Sequence, residues 1–188
     1  MLKGLLKQGC ALAGFLVVAG LIAPRPAAAQ STNFAAGYSF LHDNELSENF
    51  PSGGNFPAGL FASVGVGVTN WLGIAGEIAS NRKTISDLGD DLTIKVDFYG
   101  AGVRFTGHGG KAHPYGQLLL GAARGKFGFA GESESGSDFA WQPGAGVDVY
   151  FSHSVGMRFG VNGRFIQGDD VTAKELQVIV GVVFGGGS

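Results

Sequence analysis

"ASVGVGVTNWLGIAGE", Ala62 to Glu77, decides how this chain must be read. Val64, Val66 and Val68 recur at every second position, with Gly65 and Gly67 between them. After Thr69-Asn70 the alternation resumes, with Leu72, Ile74 and Ile78 against Gly73, Ala75, Glu77 and Ala79. A period of two belongs to a β-strand, whose successive side chains point to opposite faces. Glycine ordinarily weakens a strand interior and marks a place that something else approaches closely. The stretch therefore predicts one hairpin with a bulky apolar face and a small face that carries a carboxylate.

The same alternation recurs along the chain. It predicts strands at about Asn33–His42, Ala58–Val68, Trp71–Asn81, Leu92–Thr106, His113–Phe127, Phe139–Phe151, Val155–Ile166 and Glu175–Phe184. Eight is an even number, and several of these segments reach the ~9–11 residues that a tilted strand needs to cross a bilayer. Short connections (Thr69-Asn70, "GHGGKAH", His153-Ser154) alternate with long polar ones ("DNELSENFPSGGNFP", "TISDLGDD", "AGESESGSD", "QGDDVTAK"). In an up-and-down sheet all the long connections then fall at one end, the asymmetry of an outer-membrane barrel. Most carboxylates gather there: Asp43, Glu45, Glu48, Asp87, Asp90, Asp91, Glu132, Glu134, Asp138, Asp169, Asp170 and Glu175. These acidic loops lack the spacing of a dedicated calcium loop; solubility of hairpin tips is the favoured reading, beside contact with divalent cations that bridge lipopolysaccharide phosphates.

Two barrel types fit this order, and the position of the charges separates them. The bulky faces, such as Val155, Met157, Phe159 and Val161, carry no charge through the strand middles. The opposite faces mix Gly, Ala and Ser with isolated charges. Packing all the Val, Ile, Leu and Phe inside eight strands would overfill the lumen, which is only wide enough for side chains. Apolar residues facing lipid and small or polar ones facing inward satisfy the membrane pattern. The fold class is thus all-β, an eight-stranded antiparallel up-and-down transmembrane β-barrel.

Glu77, Arg104, Asp148 and Arg158 then face one narrow lumen, with Gln117, Asn162 and Arg164 as hydrogen-bonding partners. Unpaired charges there would be costly, so a mutually paired cluster that plugs the lumen is expected. Lys95 and Asp97 would face outward, which requires that they stand above the lipid or that a bulge intervenes. Trp71, Phe105 and Phe151 near the short turns, and Phe127 and Trp141 near the long loops, form two interfacial girdles.

Residues 1–29 read differently. Lys3 and Lys7 precede an apolar run from Ala11 to Ala23, then Pro24, Pro26 and Ala27-Ala28-Ala29. That order is a cleavable secretory signal peptide, with cleavage expected after Ala29 and the barrel domain occupying 30–188. Cys10, the only cysteine, lies ahead of the apolar run, so the mature chain carries no thiol chemistry. Without Lys3, Lys7 and Arg25, ten basic residues face fifteen acidic ones, a formal charge of −5 that disfavours nucleic acid. His42, His108, His113 and His153 have no metal spacing, and no cofactor or metal is expected.

"GYSFL", "FYGAGVRFT", "PYGQLLLGAARG", "PGAGVDVYFS" and "VIVGVVF", in this order, resemble the small OmpA/OmpX-type outer-membrane β-barrel proteins over Asn33–Phe184. The resemblance implies a monomer in the outer membrane of a Gram-negative-type bacterium, inserted by the outer-membrane assembly machinery. It also implies a polar lumen cluster on Glu77, Arg104, Asp148 and Arg158, and lipids and lipopolysaccharide as partners. Phe184 matches the aromatic assembly signal of the last strand, although family members usually end on it and here Gly185–Ser188 follow. The implied role is non-enzymatic, in membrane integrity or surface interaction, with a surface ligand that loop composition does not name. Two alternatives stand beside it. A barrel enzyme acting on lipid A would need Ser and His on one face, but His153-Ser154 are adjacent and sit in a short turn. A small-solute porin would need about sixteen strands.

Overall fold

A computed structural model describes residues 32–43, 54–85, 92–129, 132–168 and 172–185. Period-two alternation yields β1 (Thr32–Asp43), β2 (Asn55–Phe56), β3 (Ala58–Gly67), β4 (Leu72–Ile85), β5 (Leu92–Thr106), β6 (Ala112–Phe129), β7 (Glu132–Tyr150), β8 (Val155–Gln167) and β9 (Thr172–Gly185). Successive strands pair antiparallel from β1–β3 to β8–β9, and β1 also pairs with β9 through eleven residue pairs. β2 only prolongs the β3 side of β1, by Leu41↔Phe56 and His42↔Asn55. The result is a closed eight-stranded barrel. Closure gives backbone groups partners without leaving a free edge, the condition for a sheet that crosses lipid.

The short connections are built by side-chain oxygens. Thr69 Oγ1 accepts from the backbone N–H of Leu72 at 3.0 Å, and Ser152 Oγ accepts from Val155 N–H at 3.1 Å. Each hydroxyl thus replaces a backbone turn partner. The β5–β6 turn instead uses Gly110 at φ +62°, where a side chain would be strained.

Strand limits match the alternation where lipid-facing residues define it, and β5 has the predicted limits. The "AGESESGSD" stretch does not form the predicted loop: β7 starts at Glu132, and Phe129↔Glu132 and Gly128↔Ser133 continue the ladder. A strand that stands in water on both sides has no need of apolar alternation, so Ser and Glu leave no signal there. Glu132, Glu134 and Asp138 therefore belong to a strand. Asp43 and Glu175, also assigned to loops, are inward-facing register partners on β1 and β9 and are buried. Glu45, Glu48, Asp87, Asp90, Asp91, Asp169 and Asp170 lie outside the described residues.

The β4–β5 and β5–β6 registers run without a slip past Lys95 and Asp97, so no bulge intervenes. Both side chains face outward, with Lys95 Nζ 3.0 Å from Asp97 Oδ1. The β7–β8 ladder is interrupted only at Gln142 and Pro143, where proline has no N–H to offer.

The exterior is apolar and bare. Leu60, Ile74, Ile78, Tyr99, Val161 and Phe184 are all exposed, Leu60 by 66% and Ile78 by 53%. Inside, Phe61, Phe98, Leu119, Ile179 and Val183 pack among alanines, so the interior holds more bulk than Gly, Ala and Ser.

Candidate functional site

The interior polar residues are inward positions of different strands, and the register sets their meetings. Asp148 of β7 and Arg158 of β8 are direct cross-strand partners. Arg158 Nε and Nη2 each donate at 2.7 Å to a different oxygen of Asp148, the two-pronged geometry that suits guanidinium and carboxylate. Its Nη1 donates to Ser63 Oγ at 2.8 Å and Nη2 to Asn33 Oδ1 at 3.2 Å. Arg104 is fixed by its register partner Gln117, whose Oε1 accepts from Nε and Nη2 at 3.1 and 2.7 Å. Both guanidinium groups also lie against the Tyr115 ring, whose centroid is 4.7 Å from Arg104 Cζ and 5.0 Å from Arg158 Cζ, and both donate to Asn33 Oδ1.

From there the network climbs the barrel. Gln117 Nε2 donates to Glu77 Oε2 at 3.5 Å and to Asn162 Oδ1 at 3.4 Å. Gln142 Nε2 donates to Glu77 Oε1 at 2.9 Å. Asn162 donates to Gln177, Gln177 to Ser39, and Ser39 to Asn81. Arg164 donates through Nε to Gln142 Oε1 at 2.9 Å and through Nη1 to Glu175 Oε2 at 3.0 Å, with Phe98 beneath it. One chain of contacts thus joins Asp148 near the short turns to Glu175 near the long connections.

All seven residues singled out from the sequence, Glu77, Arg104, Gln117, Asp148, Arg158, Asn162 and Arg164, are buried in this network. Their pairing differs from four charges in mutual contact. Of these four charges only Arg158 and Asp148 form an ion pair with each other; Glu77 and Arg104 meet through Gln117, which donates to the one and accepts from the other. Ser39, Asn81, Gln142, Glu175 and Gln177 were missed. Each shares strand parity with a residue already assigned inward, which is the signal that could have found them.

Trp71 stacks on Phe105 at 5.9 Å near the short turns, and Phe151 is exposed there. Trp141 stacks on Phe165 at 4.2 Å toward the other end. The Phe127 side chain lies outside the described residues. Phe184 faces outward opposite Phe34 on the β1–β9 seam. His42 contacts Asn55 and His113 contacts the Gly110 carbonyl, while the His108 ring meets that of His113 at a tilt of 54°. Among the described residues no three His, Cys, Asp or Glu gather as a metal site. Near the short turns a cavity of about 30 Å³ touches Arg104, Asp148, His113 and Tyr150, on the order of one water in size.

An apolar exterior around a hydrogen-bonded polar interior, in a closed eight-stranded sheet, defines a membrane-spanning β-barrel. More particularly, the chain belongs to the outer membrane protein beta-barrel domain family, whose profile matches residues 13–184. It is an outer-membrane protein. Among solved structures it is similar to Ail, the attachment invasion locus protein of Yersinia pestis, in complex with the heparin analogue sucrose octasulfate. The two are 21% identical with a TM-score of 0.60, over 84% of this chain and 99% of that one. It is also similar to Neisserial surface protein A, at 15% identity and a TM-score of 0.61, over 85% and 99% of the chains. The N-terminal β-barrel domain of Pseudomonas aeruginosa OprF follows at 16% identity and 0.53, over 84% and 98%. At these identities the likeness shows a common fold. No curated protein matches the chain.

Proposed function

We propose that this protein is a non-enzymatic, monomeric barrel whose interior is a closed polar plug, serving membrane integrity or surface interaction. The observation that supports this reading is the network from Asp148 to Glu175, made of side chains that reach across the lumen to one another. Buried charges persist only when paired and hydrogen-bonded, and a paired interior fixes strand register while filling the lumen. The outward end would carry acidic hairpin tips, and lipopolysaccharide would surround it. Residues 1–29 would act as the cleaved signal of a Gram-negative-type bacterium, and Phe184 as the signal to the assembly machinery. A surface-interaction role is in keeping with the fold shared with the attachment invasion locus protein.

The test is a gel of outer-membrane fractions before and after boiling. A folded barrel is expected to migrate anomalously until boiled, and a band of unchanged mobility overturns the reading. A second measurement addresses the plug. In planar bilayers the purified protein is expected to show no sustained single-channel currents; currents that disappear on Glu77→Ala would show an open path through the lumen.

A further inference from the structure

The outer face of β4–β7 changes character within one row of residues. Register places Ile78, Tyr99, Ala122 and Phe139 in one outward-facing cross-strand row. Ser80, Asp97, Arg124 and Ser137 form the next row, and Arg82, Lys95, Lys126 and Ser135 the one beyond. Rows lie about 7 Å apart along the strands. Ile78, Tyr99 and Phe139 are exposed apolar residues at the upper limit of the lipid-facing surface. Four bases therefore stand directly above lipid on three adjacent strands.

This arrangement is unfavourable for the protein alone. Arg82 lies opposite Lys95 and Lys95 opposite Lys126, and like charges directly opposite destabilise a strand pair. Among the described residues of these rows the only carboxylate is Asp97, and it is engaged by Lys95. Arg124 donates to Ser135 Oγ at 3.1 Å, a neutral partner. The whole chain is acidic in net charge, so the cluster is not a general excess of bases. A fixed anion with several oxygens, at the height of lipid headgroups, removes the repulsion.

We propose that Arg82, Lys95, Arg124 and Lys126 bind the phosphate groups of an outer-leaflet glycolipid, a phosphorylated lipid A headgroup whose acyl chains lie along Tyr99 and Phe139. The site rests on the proposed orientation, with the long connections facing outward. The lipid is the source favoured over a soluble polyanion because the basic rows are continuous with the lipid-facing rows below them.

The test uses the purified full-length barrel in detergent with equal amounts of bis-phosphorylated lipid A and its dephosphorylated form, bound lipid being read by native mass spectrometry. Each engaged base is expected to contribute about a fivefold change. With four bases the native protein should thus prefer the phosphorylated form by about 600-fold. Arg82→Gln/Arg124→Gln/Lys126→Gln, which leaves Lys95 and Asp97 paired, should bring the preference to within about fivefold. Lys111→Gln/Lys174→Gln, away from these rows, should leave it unchanged. Equal binding of both lipids by the native protein, or an undiminished preference in the triple variant, overturns the proposal. A soluble sulfated oligosaccharide that binds in place of lipid, and is lost in the triple variant, would reassign the surface to soluble polyanions. Should the triple variant fail the boiling-shift gel, Lys126→Gln alone carries the test at about a fivefold loss. The same gel on native protein reports the barrel independently of lipid preference, so the two readings can fail separately.

Discussion

Asp148→Leu is expected to cost the folded barrel about 3–5 kcal/mol, the cost of breaking a buried ion pair by removing one partner. Arg158 is fully buried, and without Asp148 it keeps only Ser63 and Asn33 as acceptors. A guanidinium left without its carboxylate bears a desolvation penalty that neutral acceptors do not cancel. The double replacement Asp148→Leu/Arg158→Met should recover most of the loss, because exchanging a buried pair for apolar side chains of similar volume is often neutral. Urea titration of protein folded in detergent or vesicles, followed by the boiling-shift gel, measures both. A single-variant cost under about 1 kcal/mol, typical of solvated pairs, would mean that water reaches Arg158 and that the interior is not a plug.

The second large effect concerns space rather than charge. Tyr115 of β6 lies across Gly146 of β7 and Gly160 of β8, which are themselves register partners. A Cβ on Gly160 would stand 2.7 Å from Tyr115 Oη and 3.0 Å from Ile179 Cγ1. Gly160→Ala is expected to destabilise by about 1–3 kcal/mol, as overpacking does in a filled core. Tyr115 Oη has no hydrogen-bond partner among the described residues. Tyr115→Phe should therefore be close to neutral alone and should restore much of the Gly160→Ala loss, a coupling of at least about 1 kcal/mol in a double-mutant cycle. Additive effects would show that the glycine is needed for backbone contacts alone.

What was legible follows from which residues the bilayer constrains. Val64, Val66, Ile74 and Val161 alternate because one face must satisfy lipid, and that gave strand order, the outward faces and the inward positions of Glu77, Arg104, Asp148 and Arg158. Beyond the lipid the constraint lapses, so the early part of β7, from Glu132 to Asp138, read as loop. Partner choice was not legible either. Glu77 on β4 receives its shorter hydrogen bond from Gln142 on β7, strands that are not neighbours in the sheet. That contact depends on how long side chains lean across the lumen, and alternation along one strand carries no information about reach. The basic rows were hidden for a related reason: Arg82, Lys95, Arg124 and Lys126 become a cluster only once three registers are fixed.

The seam between β1 and β9 has a further consequence. Asn33 pairs with Gly185 and Asp43 with Glu175, so the first strand made finds its second neighbour only in the last. Until β9 has paired with β1, any partly formed sheet exposes two unpaired edges, one of them on β1. Such edges are templates for wrong pairing between molecules. The hazard ends only when β9 pairs with β1, so closing this seam, and not the formation of any local hairpin, is the step that removes it.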